Sequence, residues 1–342
     1  MAQSLERPRL SFFCELDREA LQNLFADPDL IPTLVALDAR VALGILDLSE
    51  ERADVVRRLN AAGIPVVAWQ LLPEEAGYWY NVDNAPQAVA RYADFLDWTA
   101  AHDLHWDTIG IDIEPDMGKV GRLAEGDWRI LGEGLGDLFD SGRIWRARAL
   151  YGDLVARMHR DGYAVEAYHF PVVVDERRAG SALLERLAGL IHLEVDREVL
   201  MLYSSFLRPW GAGVLWSYGP EAASIAVGST GGGVTVGGAD QVPALSWEEL
   251  ARDLRLARRW TTDLYVFSLE GCVRQGYLER LVGFDWSEKV APPVQKIRKV
   301  AWARRGVRVA LWTSAHLGLV VAMLILAGGL WWLARRRKRE GQ

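Results

Sequence analysis

Cysteine is nearly absent. Cys14 and Cys272 are the two in 342 residues, too few for a disulfide framework, and no Cys/His grouping has zinc spacing. Both are expected to be reduced. Six histidines, at 102, 105, 159, 169, 192 and 316, are scattered singly, which argues against a histidine-built metal centre; no metal and no cofactor is expected. The first β-rich run is not followed by Gly-x-Gly-x-x-Gly, which removes the main signal of a dinucleotide fold. The opening segment, MAQSLERPRLSFFCELDRE, lacks an apolar stretch of signal-peptide length. No internal repeat of short period is present. A chain that is 50% hydrophobic and 25% charged is neither disordered, collagen-like nor polytopic.

Charge is distributed unevenly. The net charge of -7 comes from 46 acidic and 39 basic residues. Eleven of the basic residues lie in 296–342, with Glu340 their one acid. The rest, 1–295, therefore carries 28 basic and 45 acidic residues, a net of -17. A domain that acidic repels phosphate backbones, so nucleic acid is not an expected partner.

Between Arg308 and Arg335 stand 26 residues with no Lys, Arg, Asp or Glu, VALWTSAHLGLVVAMLILAGGLWWLA. About 20 apolar residues in a helix cross a bilayer's hydrocarbon. Trp312 near one end, Trp331 and Trp332 near the other, and arginines on both flanks suit the two interfaces. The expectation is a barrel domain at 1–286, a basic juxtamembrane linker at 287–308, a single transmembrane helix at 309–334 that meets the lipid bilayer, and a basic tail at 335–342. With no signal peptide, this predicts a single-pass C-terminal anchor and a cytoplasmic domain.

Before the anchor, strand and helix patterns alternate. The β-rich runs fall at 10–16, 41–48, 65–71, 107–114, 164–170, 198–204, 223–229 and 263–270. Helical stretches separate them, such as 49–63 behind Ser49, 86–102 opening on Pro86, and 246–260 with the Ser-x-x-Glu capping box. Eight alternations in roughly 280 residues predict an α/β chain closed as a (β/α)8 TIM-type barrel. The tract GSTGGGVTVGG (228–238) reads as a hairpin or a loop.

Active sites of such barrels form at the carboxyl ends of the strands. Those ends carry Glu15, Asp47, Gln70, Asp112, Glu114, Tyr168, His169, Tyr203 and Glu270. In Asp107-Thr-Ile-Gly-Ile-Asp112-Ile-Glu114, the strand period of two puts Gly110, Asp112 and Glu114 on one face. Two carboxylates so close push one pKa upward, and Glu114, at the mouth, becomes the natural proton donor. Glycoside hydrolysis needs this pairing of a protonated acid with an ionised carboxylate. If Glu270 faces Glu114, carboxyls about 5–5.5 Å apart would suit retention and about 6.5–9.5 Å inversion. Trp79, within GYWYNVDN (77–84), is the leading stacking platform for a sugar, and Arg208, Trp210, Trp216 and Tyr218 follow the sixth strand. Glu15, Gln70 and Tyr168 complete the expected substrate-binding set.

The segment resembles the Asp-x-x-Asp-x-Asp-x-Glu signature of chitinase-type glycoside hydrolases, family 18 and its relatives, as a divergent member of that TIM-barrel superfamily. Asp107, Asp112 and Glu114 occupy three of the four acidic positions, and Gly110 stands in the second. Met201-Leu-Tyr203-Ser204 is similar to the family's Met-x-Tyr-Asp/Asn. The resemblance implies that Glu114 is the general acid, that Asp112 orients a substrate 2-acetamido group whose oxygen is the nucleophile, and that Tyr203 hydrogen-bonds to that group. The third run lacks the family's Ser-x-Gly-Gly, and the eighth ends in Ser268-Leu-Glu270-Gly271 rather than in tryptophan.

The leading reading is thus a membrane-anchored, glycoside-hydrolase-like barrel that acts on or binds a carbohydrate. A metal-assisted phosphodiesterase using Glu15, Asp47, Asp112 and Glu114 is the alternative from another enzyme class. A non-catalytic glycan-binding or scaffold barrel is the third.

Overall fold

The computed structural model describes residues 7–340, apart from 125–126, 128, 130–135, 137–139 and 234–241. Eight parallel strands close on themselves in chain order: β1 (Arg9–Cys14), β2 (Arg40–Ile45), β3 (Val66–Gln70), β4 (Thr108–Ile113), β5 (Ala164–His169), β6 (Arg197–Met201), β7 (Ser224–Gly228) and β8 (Asp263–Phe267). Closure is made by β1 against β8, from Arg9 opposite Asp263 to Phe13 opposite Phe267. This is the eightfold barrel that the alternating pattern predicts.

Period-two alternation divides each strand between two cores. On β4, Ile109, Ile111 and Ile113 pack outward under the helices, leaving Thr108, Gly110 and Asp112 to the interior. The interior is lined by Phe13, Trp69, Tyr168, Tyr265 and neighbours. Phe13 is its hub, with ring centroids 5.0 Å from Trp69 and 4.8 Å from Tyr168. At the amino ends of the strands, beneath this aromatic layer, lies a buried ion pair. Glu166 accepts from Arg40 at 2.9 Å, from the Tyr168 hydroxyl at 2.8 Å and from the Tyr265 hydroxyl at 2.9 Å. Truncating one partner strands the other charge, so Glu166→Ala should cost about 3–5 kcal/mol in chemical unfolding.

The chain after β8 departs from the expected linker. Residues Val294–Ala315 form a helix that lies on the helices Val172–Ala179 and Gly211–Tyr218. Gly213 allows the close approach, since a Cβ there would sit 2.8 Å from the Lys296 carbonyl carbon. Arg304, buried on the docked face, binds Asp175 at 2.7 Å and Glu221 at 2.9 Å, with its guanidinium 3.6 Å from the Tyr218 ring centroid. Asp175 also accepts from the Tyr218 hydroxyl. The basic residues counted as juxtamembrane therefore include one that bolts the helix to the barrel. Asp175→Ala should destabilise the chain by about 3 kcal/mol and expose 294–315 to limited proteolysis.

The apolar run does not continue as one straight helix. It breaks at His316, where the helix Val294–Ala315 ends, and Leu317–Glu340 leaves at 90°. His316 donates Nδ1 to the Trp312 carbonyl at 2.9 Å and stacks on its ring, which marks the end of the first helix. Among the described residues no single helix is long and apolar enough to cross a membrane; the bent pair Val294–Ala315 and Leu317–Gly328 meets that test together.

Candidate active site

The carboxyl ends of β1, β4 and β6 bring four predicted residues into electrostatic reach of one another. Glu15 follows β1, Asp112 lies within β4 with Glu114 just past it, and Tyr203 follows β6. Asp112 is 2% exposed. Its Oδ2 accepts from the Trp69 indole at 3.2 Å, and its Oδ1 is buried without a partner. Burial, then Glu114 and Glu15, push the Asp112 carboxyl well above its ordinary range, while the indole favours the ionised form. Burial and Glu15 push Glu114 up to about 8. Burial raises the Tyr203 phenol, with the charges of Asp112, Glu114 and Glu15 adding to it. The charges acting on this cluster are those of other carboxylates, so at neutral pH it retains a proton. Both carboxyls are raised, so the proton belongs to the Asp112–Glu114 pair, with Glu114 the member nearer the mouth.

Sequence reasoning passed over Tyr78. Its hydroxyl donates to Glu15 Oε1 at 2.8 Å, and it is reached through a left-handed pair, Gly77 at φ +97° and Tyr78 at +62°. The glycine is needed because a Cβ there would stand 2.7 Å from Asp116 Oδ2. The available signal was that glycine immediately before an aromatic in a loop. Trp79, 7% exposed, packs edge-on against Tyr78 at 5.4 Å. The polar residues around it hold the loop itself: Asn84 Nδ2 donates to the Trp79 carbonyl at 2.7 Å, Asn84 Oδ1 accepts from the Asn81 amide at 2.9 Å, and Asp83 pairs with Lys119 and Arg143.

Glu270 stands apart from its expected strand-end position. β8 stops at Phe267, and Glu270 lies in the first turn of the helix Leu269–Arg274, capped by Ser268. It accepts from the Gly233 amide at 3.1 Å, and burial raises its pKa despite those donors. Gly231, Gly232 and Gly233 all have left-handed φ near +80° to +96°. A Cβ on Gly232 would meet Glu270 Cγ at 2.6 Å, and one on Gly233 would meet Glu15 Oε2 at 2.7 Å. This stretch is a loop laid against both glutamates; 234–238 of the same tract lie outside the described residues.

Several strand-end residues are directed elsewhere. Tyr168 is fully buried and turns its hydroxyl down to Glu166, with its ring filling the space beside Gly110. Gln70 lies between interior-facing Trp69 and Leu71 and so faces the helical layer, with both amide atoms buried and unpartnered. Asp107 reaches Arg40 at 3.5 Å at the opposite end of the barrel. Asp47 is buried enough to resist ionisation, yet Arg52 and Ser49 hold it at about 2. Trp216 packs on Trp260, Tyr218 serves Arg304, and Trp210 lies under Lys299. Cys14 and Cys272 are both free and buried.

No protein-family model and no curated protein sequence matches this chain. Solved structures that resemble it include the PgaB (BpsB) glycoside hydrolase domain from Bordetella bronchiseptica, 11% identical over 83% of this chain and 100% of that one, with a TM-score of 0.49. The 3-keto-D-glucoside 4-epimerase YcjR from E. coli is 13% identical over 87% and 100%, with a TM-score of 0.43. D-Psicose 3-epimerase from Clostridium cellulolyticum H10 is 12% identical over 89% and 99%, with a TM-score of 0.39. The barrel assignment rests on the strand pairing itself.

Proposed function

We propose that this chain is a glycoside-hydrolase-like barrel that acts on a carbohydrate, with Glu114 as general acid and Asp112 as its partner. The observation that carries the reading is Glu114: a carboxyl held at about 8, at the strand end where barrel enzymes do their chemistry. Asp112 and Tyr203 flank it as orienting groups for a substrate 2-acetamido function, which would supply the nucleophile. Glu15, held by Tyr78, forms the neighbouring wall. Glu270 anchors the glycine loop through the Gly233 amide. The phosphodiesterase alternative loses a ligand, because the Asp47 carboxylate is taken by Arg52 and Ser49.

The apolar run from Leu317 onward is the proposed bilayer anchor. Leu317, Leu319, Met323, Leu324, Ile325 and Leu326 are all exposed, the condition of a helix whose solvent is lipid. The barrel is proposed to face the cytoplasm, and protease protection in sealed vesicles tests that side. Hydrolysis is tested with the full chain in detergent on aryl β-N-acetylglucosaminides. Release of the aryl group that depends on Glu114 supports the proposal. Sugar binding without release leaves a non-catalytic barrel, and neither binding nor release rejects the carbohydrate reading.

A further inference from the structure

Outside the barrel mouth, the fold gathers two of the scattered histidines. His169 ends β5 and points outward, into the helical layer, between interior-facing Tyr168 and Phe170. Glu198 lies on the outer face of the adjacent strand, β6, where Ala167 pairs with it. His192 comes from the segment that joins the helix Leu183–Ala188 to β6. One ligand atom from each residue lies within 4.8 Å of the other two.

Three features of this cluster are unexplained by packing alone. His169 is 1% exposed, and neither of its ring nitrogens has a hydrogen-bond partner. A buried imidazole that leaves both nitrogens unpaired is costly, and folded proteins rarely tolerate it without a ligand. Glu198 Oε1 is likewise buried and unpartnered, although Oε2 accepts from Arg177 at 2.8 Å. Finally, His169 and His192 line a small cavity of about 100 Å³ beside Glu176 and Arg177, which is room for an ion and its water.

We infer that His169, His192 and Glu198 form a binding site for a divalent cation of the zinc class. Two imidazoles and a carboxylate are a common donor set for zinc, with bonds of about 2.0–2.2 Å and a fourth position left for water. Closing the present spacing to that geometry takes a shift of about 1 Å, which exposed His192 can supply. Arg177 is the competitor. Its guanidinium neutralises Glu198 and approaches His192 Nδ1 at 3.5 Å, and a bound cation takes over that counter-charge. The ion ties the outer faces of β5 and β6 to the segment before β6. It lies outside the barrel interior, so it is independent of the proposed hydrolysis.

The test uses the full chain in detergent, stripped with EDTA and titrated with Zn²⁺, and with Co²⁺ as a spectroscopic probe. One Zn²⁺ per chain, a rise in Tm with added Zn²⁺ and visible Co²⁺ bands of a four-coordinate site are expected. His192→Ala, at an exposed position, should keep the fold and lower Zn²⁺ affinity by more than about 100-fold, and Glu198→Gln should do likewise. Arg177→Ala should tighten binding. Glu114→Gln and Asp112→Asn should leave uptake unchanged. Absence of uptake, uptake that survives both ligand substitutions, or uptake abolished by the mouth substitutions would each overturn the site.

Discussion

Glu114→Gln is expected to lower aryl glycoside turnover by about 10²–10⁴-fold, the usual contribution of a positioned proton donor, while making the protein more stable at neutral pH. Both effects follow from one carboxyl. Burial and the Glu15 charge hold Glu114 at about 8 in the folded chain, against about 4.3 in an unfolded one. Between those two values the native state keeps a proton that the unfolded state has released. Stability therefore falls as pH rises through that window, by an amount on the order of 3–4 kcal/mol at pH 7. Glutamine cannot ionise and removes the penalty. The variant should unfold at higher urea than the parent at pH 7 and at nearly the same urea at pH 4. Wild-type turnover should decline as pH rises past about 8, when the donor loses its proton. A variant that keeps full turnover, or a flat alkaline profile, would remove Glu114 from the chemistry.

Gly110→Asp, the change that completes the acidic signature on paper, should unfold the protein rather than improve it. In the barrel, Gly110 faces the Tyr168 ring, and a Cβ there would lie 2.9 Å from Cζ and 3.0 Å from Cε2. Tyr168 has little freedom to retreat: its hydroxyl is bound to Glu166, and its ring meets Phe13 at 4.8 Å. Overpacking costs about 1–3 kcal/mol and an unpaired buried carboxylate several more. The expected loss is at least about 4 kcal/mol, or on the order of 10 °C in Tm. Gly110→Ala separates the two contributions, since it adds bulk without charge and should lose the smaller share. Full stability with raised turnover in Gly110→Asp would show that the family's inner acid fits here after all. The expected outcome instead makes Tyr168 the group that took over that space, leaving Asp112 to share charge upward with Glu114 and Glu15.

How far the sequence reaches is clearest at the strand ends. Glu15, Asp112, Glu114 and Tyr203 are found together because each continues its strand's interior-facing alternation, two residues beyond Phe13, Gly110, Asp112 and Met201, and period-two alternation is a local property. The same rule puts Gln70 outward, between Trp69 and Leu71, and the unweighted reading of that strand end missed it. Tyr168 faces inward as the period demands, yet its hydroxyl points away from the mouth. That choice depends on Glu166 two residues earlier on β5 and on Arg40 from β2, a partner 126 residues distant. Tyr78 was overlooked because Gly77 marks a turn in the sequence, whereas the contact with Glu15 that the turn delivers is made across 63 residues of chain.

Residue order alone determined the eight strand–helix units, the acidic run on β4, the negative balance of 1–295 and the long uncharged stretch near the C-terminus. These follow from backbone periodicity and from composition, which need no knowledge of distant neighbours. Tertiary structure decided the rest. Barrel closure selects which carboxyls lose water together and so which one keeps its proton. Arg304 becomes a buried bolt instead of a free juxtamembrane charge because Asp175 and Glu221 meet it there, and His169 meets His192 and Glu198 only once β5 and β6 lie side by side. Desolvation and charge pairing act through space, and only the folded chain sets those distances.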